Sequence, residues 1–596
     1  MNGIRLCIGT FFALSVTARA QNTDSTTAGF ALVVAARQLG PVAYRDPIGV
    51  MSPNGQWLAY TSGGWLKVMR LPGGPVSALG PANARVLSVA WLADSRRVAA
   101  FEVDETGNGG WWQLDVPSGE RRPLWTGVFR QGAASTDSAA VDPRSFHELS
   151  WSRDGARLAG ITRTRTGFTL WSGNADGSNG RVQASDAPLS YPTWTPDGKT
   201  VACLITVQGS PRVSLPCGTV GGVDDAMPAY GPIAFSADGH KLYFASPNRR
   251  GTLDLWVRPM PHGTPVRLTN LARDSYAPSV AKDGRVLFGS QEYRTFIATV
   301  PSGGGTMRQV TTFQSETPSW SRDDRIIGLT YGSWRRIIDD MRYPDIAQDL
   351  GVVRSDPNTP ATAPLTVIRA STSEDQGLDW SPNGRWIVLH SHADGHDDVW
   401  IQPADGSSAA RPITSGGSET GWPRWSPDGD WIAYASQVPD GYRMRGALFT
   451  VGIDSARGAV TREARRVPVD GVVGDIEAVE WSATSDSLVF LAAEGLDRRA
   501  IYVVARAGGK ARLVHRFTSE QWFSGIGVAP DFRWVAYIAP ATDGRFQVFR
   551  VSISGGPPAQ ITFDPTDKAQ PAVSRDGGSI AFTVFSYRMQ FWTIRP

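Results

Sequence analysis

The chain has 596 residues, 41% of them hydrophobic, and carries 59 Lys+Arg against 56 Asp+Glu. That length exceeds what one ordinary hydrophobic core organises, which excludes a single small domain and calls for two or more. A formal charge of +3 over so long a chain gives no electrostatic ground for nucleic acid or an anionic membrane as partner.

In chain order, the first twenty residues read as a cleavable secretory signal: Arg5, an apolar run from Leu6 to Val16, and the small-x-small ending Ala18-Arg19-Ala20. Cleavage starts the mature chain at Gln21; it removes Arg5 and Arg19 and no acid, so the net charge falls from +3 to +1. The apolar run is 11 residues long, short of the ~20 that span a bilayer. No later segment reads as a transmembrane span, and Cys7 precedes the run, so a lipid-modified mature N-terminus is not expected. The expected location is periplasmic or extracellular.

From residue 51 onward one phrase recurs: an aromatic or aliphatic residue, then Ser-Pro-Asp-Gly or a near variant, then alternating apolar residues. Its copies start at Met51, Trp91, Trp151, Trp194, Phe235 and Val280 in the first half. In the second half they start at Trp320, Trp380, Trp425, Trp481, Val528 and Val573. Pro or Arg suits the second position of a tight turn, Asp or Asn caps it, and Gly supplies positive φ. Period-two runs such as Lys241-Leu-Tyr-Phe follow as a second strand. A third strand comes next, as in Leu253-Asp-Leu-Trp-Val, and a fourth, as in Val266-Arg-Leu-Thr. Four short antiparallel strands per repeat is the signature of a propeller blade.

These phrases resemble the repeats of the TolB-type propeller family, also found in the propellers of prolyl-oligopeptidase-like peptidases. The resemblance covers nearly all of the mature chain and implies an all-β fold. Because propellers hold four to eight blades, the expectation is two tandem six-bladed β-propellers, 21–302 and 303–596. The α/β domain that precedes the propeller in TolB is absent, so that protein's role is not carried over.

Ring closure follows from an end effect. The last copy supplies strands near Val573, near Ile580 and at Gln590-Phe-Trp-Thr-Ile, and then the chain stops. Phe30 to Leu39 and Met307 to Phe313 each read as a fourth strand placed ahead of its half. The reading is that the former completes the blade of Val280 and the latter that of Val573, with a boundary in Pro301-Ser-Gly-Gly-Gly305. In the rival wiring the N-terminal strand closes the final blade across the whole chain.

Cys203 and Cys217 flank Gln208-Gly209-Ser210-Pro211, a hairpin that sets them opposite each other; they read either as a cross-strand disulfide or as two small buried hydrophobes. The segment Trp334-Arg335-Arg336 through Arg342 to Asp345 lengthens the seventh unit and reads as a binding loop, or as a loop whose arginines answer its own aspartates. The insert from Arg130 to Phe146 reads as a flexible loop. His390, His392 and His396 fall within one hairpin with Asp397, a layout compatible with a divalent metal; the alternative is that the acids satisfy turn backbone groups. No Gly-x-Ser-x-Gly elbow is present. The functional expectation is an exported, non-catalytic binding or scaffold protein, without a cofactor, that presents loop faces to a protein, peptide or envelope polymer. The alternative is a metal-assisted polysaccharide lyase or hydrolase built on the His390–Asp398 hairpin.

Overall fold

A computed structural model describes residues 31–36, 49–62, 65–80, 84–104, 109–125, 146, 148–163, 167–207, 210–219, 227–248, 253–271, 273–331, 349–355, 364–370, 375–391, 393, 397–416, 421, 423–440, 443–472, 474–495, 498–519 and 525–595. Among these, every regular element is a β-strand.

The recurring phrase forms the turn from the first to the second strand of each unit. In the copy at Trp151, Ser152 Oγ donates to Asp154 Oδ1 (2.6 Å) and accepts the Arg157 N–H (2.9 Å), while Gly155 takes φ +75°. The same pair of contacts recurs at Ser236/Asp238, Ser426/Asp428 and Ser574/Asp576. Where the glycine is missing, Ser95, Asp324, Ser485 and Phe532 occupy φ between +56° and +59°, which costs a non-glycine residue roughly 1–2 kcal/mol. Three of these four side chains latch a neighbouring turn. Ser95 Oγ accepts the Asn54 N–H (3.0 Å), Ser485 Oγ accepts the Asp428 N–H (3.0 Å), and Asp324 accepts the N–H groups of Arg575 and Asp576 (2.7 and 2.9 Å).

Among the described residues, nine sheets are four-stranded and antiparallel, and each sets its strands side by side in chain order or nearly so. The tryptophan that opens the phrase packs between sheets: Trp91, Trp194, Trp320, Trp380, Trp425 and Trp481 are all buried. Four of these indoles also donate to the preceding sheet's first strand. Trp91 bonds Val50 O (2.8 Å), Trp194 bonds Ser150 O (3.1 Å), Trp481 bonds Arg424 O (3.0 Å) and Trp320 bonds Ala572 O (3.1 Å). The last of these joins residues 252 positions apart, tying the final sheet of the second half to its first.

First strands touch one another in chain order within each half. In the N-terminal half the order is Val50–Met51, Ala84–Trp91, Glu148–Trp151, Leu189–Trp194, Tyr230–Phe235, Asp274–Val280 and back to Val50–Met51. In the C-terminal half it is Ser315–Trp320, Asp375–Trp380, Arg424–Trp425, Asp475–Trp481, Ile526–Val528, Asp567–Val573 and back to Ser315–Trp320.

The halves are joined through one six-stranded sheet. Its two central strands, Val286–Pro301 and Ser579–Ile594, run antiparallel over their whole length, from Val286 opposite Ile594 to Pro301 opposite Ser579. Asp274–Val280 pairs with the first part of Val286–Pro301, and Ala31–Ala36 pairs with the last part of Ser579–Ile594. Asp567–Val573 pairs with the first part of Ser579–Ile594, and Arg308–Gln309 pairs with the last part of Val286–Pro301. The sequence reading therefore needs a correction: Gln590 to Ile594 is not the third strand of the Val573 unit but lies beside 286–290, in the Val280 unit. Packing follows the pairing. Phe591 is fully buried in a core with Met51, Leu58, Tyr60 and Tyr276, whereas Ala298 and Val300 pack with Ala536, Ile538 and Phe582. The local alternation is identical whichever partner a strand takes, so only the tertiary pairing distinguishes the two wirings.

Cys203 and Cys217 are bonded, with Cα atoms 5.0 Å apart. They are not register partners, however: the hairpin sets Val207 opposite Ser210, and Cys203 opposite Ser214. Cys217 lies beyond the strand, in a turn that begins at Pro216 and whose Cys217 N–H donates to Val201 O (2.7 Å). A small two-stranded parallel sheet, Val469–Asp470 with Gly509–Lys510, was not foreseen from the sequence.

Candidate functional site

Alternation along a first strand turns the phrase's aromatic residue toward the neighbouring sheet and the residue before it toward the centre of the cycle. In the C-terminal half those preceding residues are Ser319, Asp379, Arg424, Glu480, Gly527 and Ala572, and all of them line a cavity of about 210 Å³. Asp379 is buried there; it accepts the Trp425 N–H (2.8 Å), Ser319 Oγ (3.2 Å) and Arg575 Nη2 (3.3 Å). Arg424 Nε donates to Glu480 Oε1 (2.6 Å), and its Nη1 donates to Pro423 O (3.2 Å). Burial pushes the Glu480 carboxyl up against the pull of Arg424. For Arg424, burial works downward, but Glu480 and Asp379 outweigh it and the guanidinium is held more firmly charged. Two acids and two guanidinium groups thus tie several sheets across this centre.

The equivalent positions of the N-terminal half are Val50, Ala90, Ser150, Thr193, Ala234 and Ser279, none of them charged. They line a larger cavity of about 330 Å³, walled by Pro53, Pro192, Pro196, Trp151 and Trp194. Three of its polar side chains serve the scaffold. Ser279 Oγ accepts the Met51 N–H (3.0 Å), Thr193 Oγ1 donates to Tyr191 O (3.2 Å), and Glu148 accepts the Tyr191 N–H. Arg153 and Lys282 complete the lining; the Arg153 guanidinium donates to Ala237 O (2.9 Å) and the Lys282 side chain is exposed.

Nearer the opposite end of the Asp475–Trp481 strand, Glu477 accepts Arg499 Nε at 2.8 Å. Burial raises its carboxyl to about 7 despite the nearby guanidinium.

The sequence-predicted residues fall partly inside the described structure. His390 is buried on the strand Trp386–Ser391, opposite Gln376 and Val399. Asp397 is also buried. Its neighbour Asp398 accepts Thr414 Oγ1 (2.8 Å) and the Gly416 N–H (3.0 Å), so this acid serves turn backbone and side-chain groups. His392 and His396 lie outside the described residues, as do Trp334, Arg335, Arg336 and Arg342. Among the described residues, no group of three or more His, Cys, Asp or Glu is placed to hold a metal ion. No helix among them is long and apolar enough to cross a membrane. The central residues Asp379, Arg424 and Glu480 went unnoticed in the sequence, although one signal marked them: charges standing just before the aromatic residue that opens a phrase.

No family model matches the chain. A curated relative from Agrobacterium fabrum, described as uncharacterized, is 28% identical over 210 residues, which make up 35% of this chain and 65% of that protein. The chain thus spans less than two thirds of that relative's length. Among solved structures it is similar to the tricorn protease, at 12% identity over 86% of this chain and 63% of that one, with a TM-score of 0.27. It is similar to a protein described as TolB from Agrobacterium tumefaciens, at 16% identity over 68% of this chain and 93% of that one, with a TM-score of 0.18. A prolyl endopeptidase matches at 13% identity over 84% of this chain and 54% of that one, with a TM-score of 0.28. At these scores the basis for the fold is the chain's own strand pairing and repeats.

Proposed function

We propose that this TolB-like β-propeller chain is an exported binding protein that works without covalent chemistry. Its ligand is a protein, a peptide or a cell-envelope polymer. The cyclic contacts of first strands support two tandem six-bladed propellers, 21–302 and 303–596, with 295–301 and 589–594 exchanged across that boundary. The observation that carries the binding reading is the cavity of about 330 Å³ at the centre of the N-terminal half. Its walls are prolines and indoles and its central positions are uncharged, the mostly apolar concavity in which ligands are buried. The second half supports a scaffold role instead, because its charged groups are spent on one another. The segment holding Trp334, Arg335, Arg336 and Arg342, which follows Ile326–Tyr331 and precedes Asp349–Arg354 in the sequence, is the second contact proposed.

The test is capture from an envelope extract by immobilised mature protein starting at Gln21, compared with Ala234→Trp, which fills the first cavity. The expected result is loss of the captured species with Ala234→Trp and weakened capture with Trp334→Ala/Arg335→Ala, while circular dichroism stays that of the parent. Equal capture by all three proteins overturns the reading.

A further inference from the structure

The outermost strand of the ninth unit, Ala459–Arg466, is exposed at every residue. It is eight residues long, whereas Arg411–Pro412 and Ala559–Gln560 are two residues each. From it, Arg462 and Arg465 reach the indole of Trp431, with guanidinium carbons 4.9 and 5.9 Å from the ring centroid. Arg506, from the next unit, approaches the same ring to 4.6 Å. Trp431 itself is buried, so the three cations border a ring that belongs to the inter-sheet core.

A cation over an indole face is attracted by the ring quadrupole. Three like charges around one ring also repel one another, and little here offsets that repulsion. Arg506 has a carboxylate, Asp428, at 4.0 Å, the limit of an ion pair. Among the described residues, Arg462, Arg465 and the adjacent Arg466 have no carboxylate within ion-pair distance. The near-neutral charge of the whole chain conceals this local excess.

We propose that Arg462, Arg465 and Arg506, gathered around Trp431, form a binding site for a multiply charged oxyanion, with a phosphoryl group as its type. Guanidinium forks match the paired oxygens of phosphate, and such charge-assisted bonds are the strong ones. An anion seated there turns mutual repulsion into shared attraction. The phosphoryl group can belong to a soluble compound or to a phosphomonoester lipid headgroup, since the recognising chemistry is the same.

The experiment uses the full mature chain and inorganic pyrophosphate as probe. Calorimetric titration at fixed ionic strength is expected to show binding that weakens at least tenfold in Arg462→Gln/Arg506→Gln, and partial retention in Arg462→Lys/Arg506→Lys, which keeps the charge but not the fork. Without pyrophosphate, the Gln variant is expected to melt at or above the parent's temperature, because repulsion is relieved. If the arginines merely pack the indole, the Gln variant melts lower and binds pyrophosphate as the parent does; that outcome, or no binding by the parent beyond equal chloride, overturns the proposal. Sedimentation with phosphatidic acid vesicles, reversed by pyrophosphate, assigns the group to a lipid; binding of pyrophosphate without sedimentation assigns it to a soluble ligand, and either result supports the site.

Discussion

The centres of the two cycles of first strands use one repeat position in opposite ways. Before the residue that opens each phrase, the first half has Val50, Ala90, Ser150, Thr193, Ala234 and Ser279, and the second has Ser319, Asp379, Arg424, Glu480, Gly527 and Ala572. The blade needs little from this position, because the side chain points to the centre and not into the sheet-to-sheet core. It is therefore free to make either an open neutral cavity or a cross-linked charged one. The next position stays apolar in all twelve copies, and six of its tryptophans are buried.

The strongest way to break this comparison is to attack the link between the halves. Removing residues 587–596 is expected to unfold the first half while the second keeps its strands, read by hydrogen exchange of each half. Phe591→Ala is the graded version, expected to cost about 3–5 kcal/mol, as for a fully buried aromatic residue. Loss of protection confined to residues 315–580 would show that the exchange is wrongly placed.

Next in size is the charged centre itself. Arg424→Ala leaves the half-buried Glu480 without its guanidinium and is expected to cost about 3 kcal/mol in urea unfolding. Arg424→Met with Glu480→Leu is expected to recover most of that loss. At the matching neutral position of the first half, Thr193→Ala is expected to cost about 1 kcal/mol or less.

The disulfide belongs to the first half alone. Its bridge spans a sequence separation of 14 residues, for which loop closure is worth about 3 kcal/mol. Reduction, or Cys203→Ser with Cys217→Ser, is expected to lower only the first half's melting transition.

A pH profile separates the halves more finely. Glu477 rises from 4.5 to about 7 on folding. The folded state then holds the extra proton between those values, so this contribution is complete below 4.5 and is lost as pH rises through about 7. Glu477→Gln is expected to flatten the fall in melting temperature across that window. The smallest effect is Trp481→Phe, which removes the indole bond to Arg424 O and is expected to cost about 1 kcal/mol.

Much of the fold was legible because turn chemistry is local. Ser-x-Asp-Gly names its own hydrogen bonds, and Ser152, Asp154 and Gly155 make them within one turn. The candidate site was half legible. Lining up the phrases exposes Asp379, Arg424 and Glu480 as charges out of place, but their pairing, which reaches from Asp379 to Arg575 196 positions away, has no local mark. The cluster around Trp431 was illegible for the same reason, since Arg506 arrives from a different sheet.

By itself, the sequence determined the repeat, its strands, its turns and the aromatic or aliphatic residue that opens each phrase, because these depend on period-two alternation and on turn residues a few positions apart. Only the tertiary structure decided that Val286–Pro301 and Ser579–Ile594 trade partners between the halves, that Cys217 meets Cys203 from a turn, and which charges face one another. A strand's hydrogen-bonding edge is the same whichever neighbour it meets, so the choice of neighbour rests on side-chain packing between residues far apart in the chain.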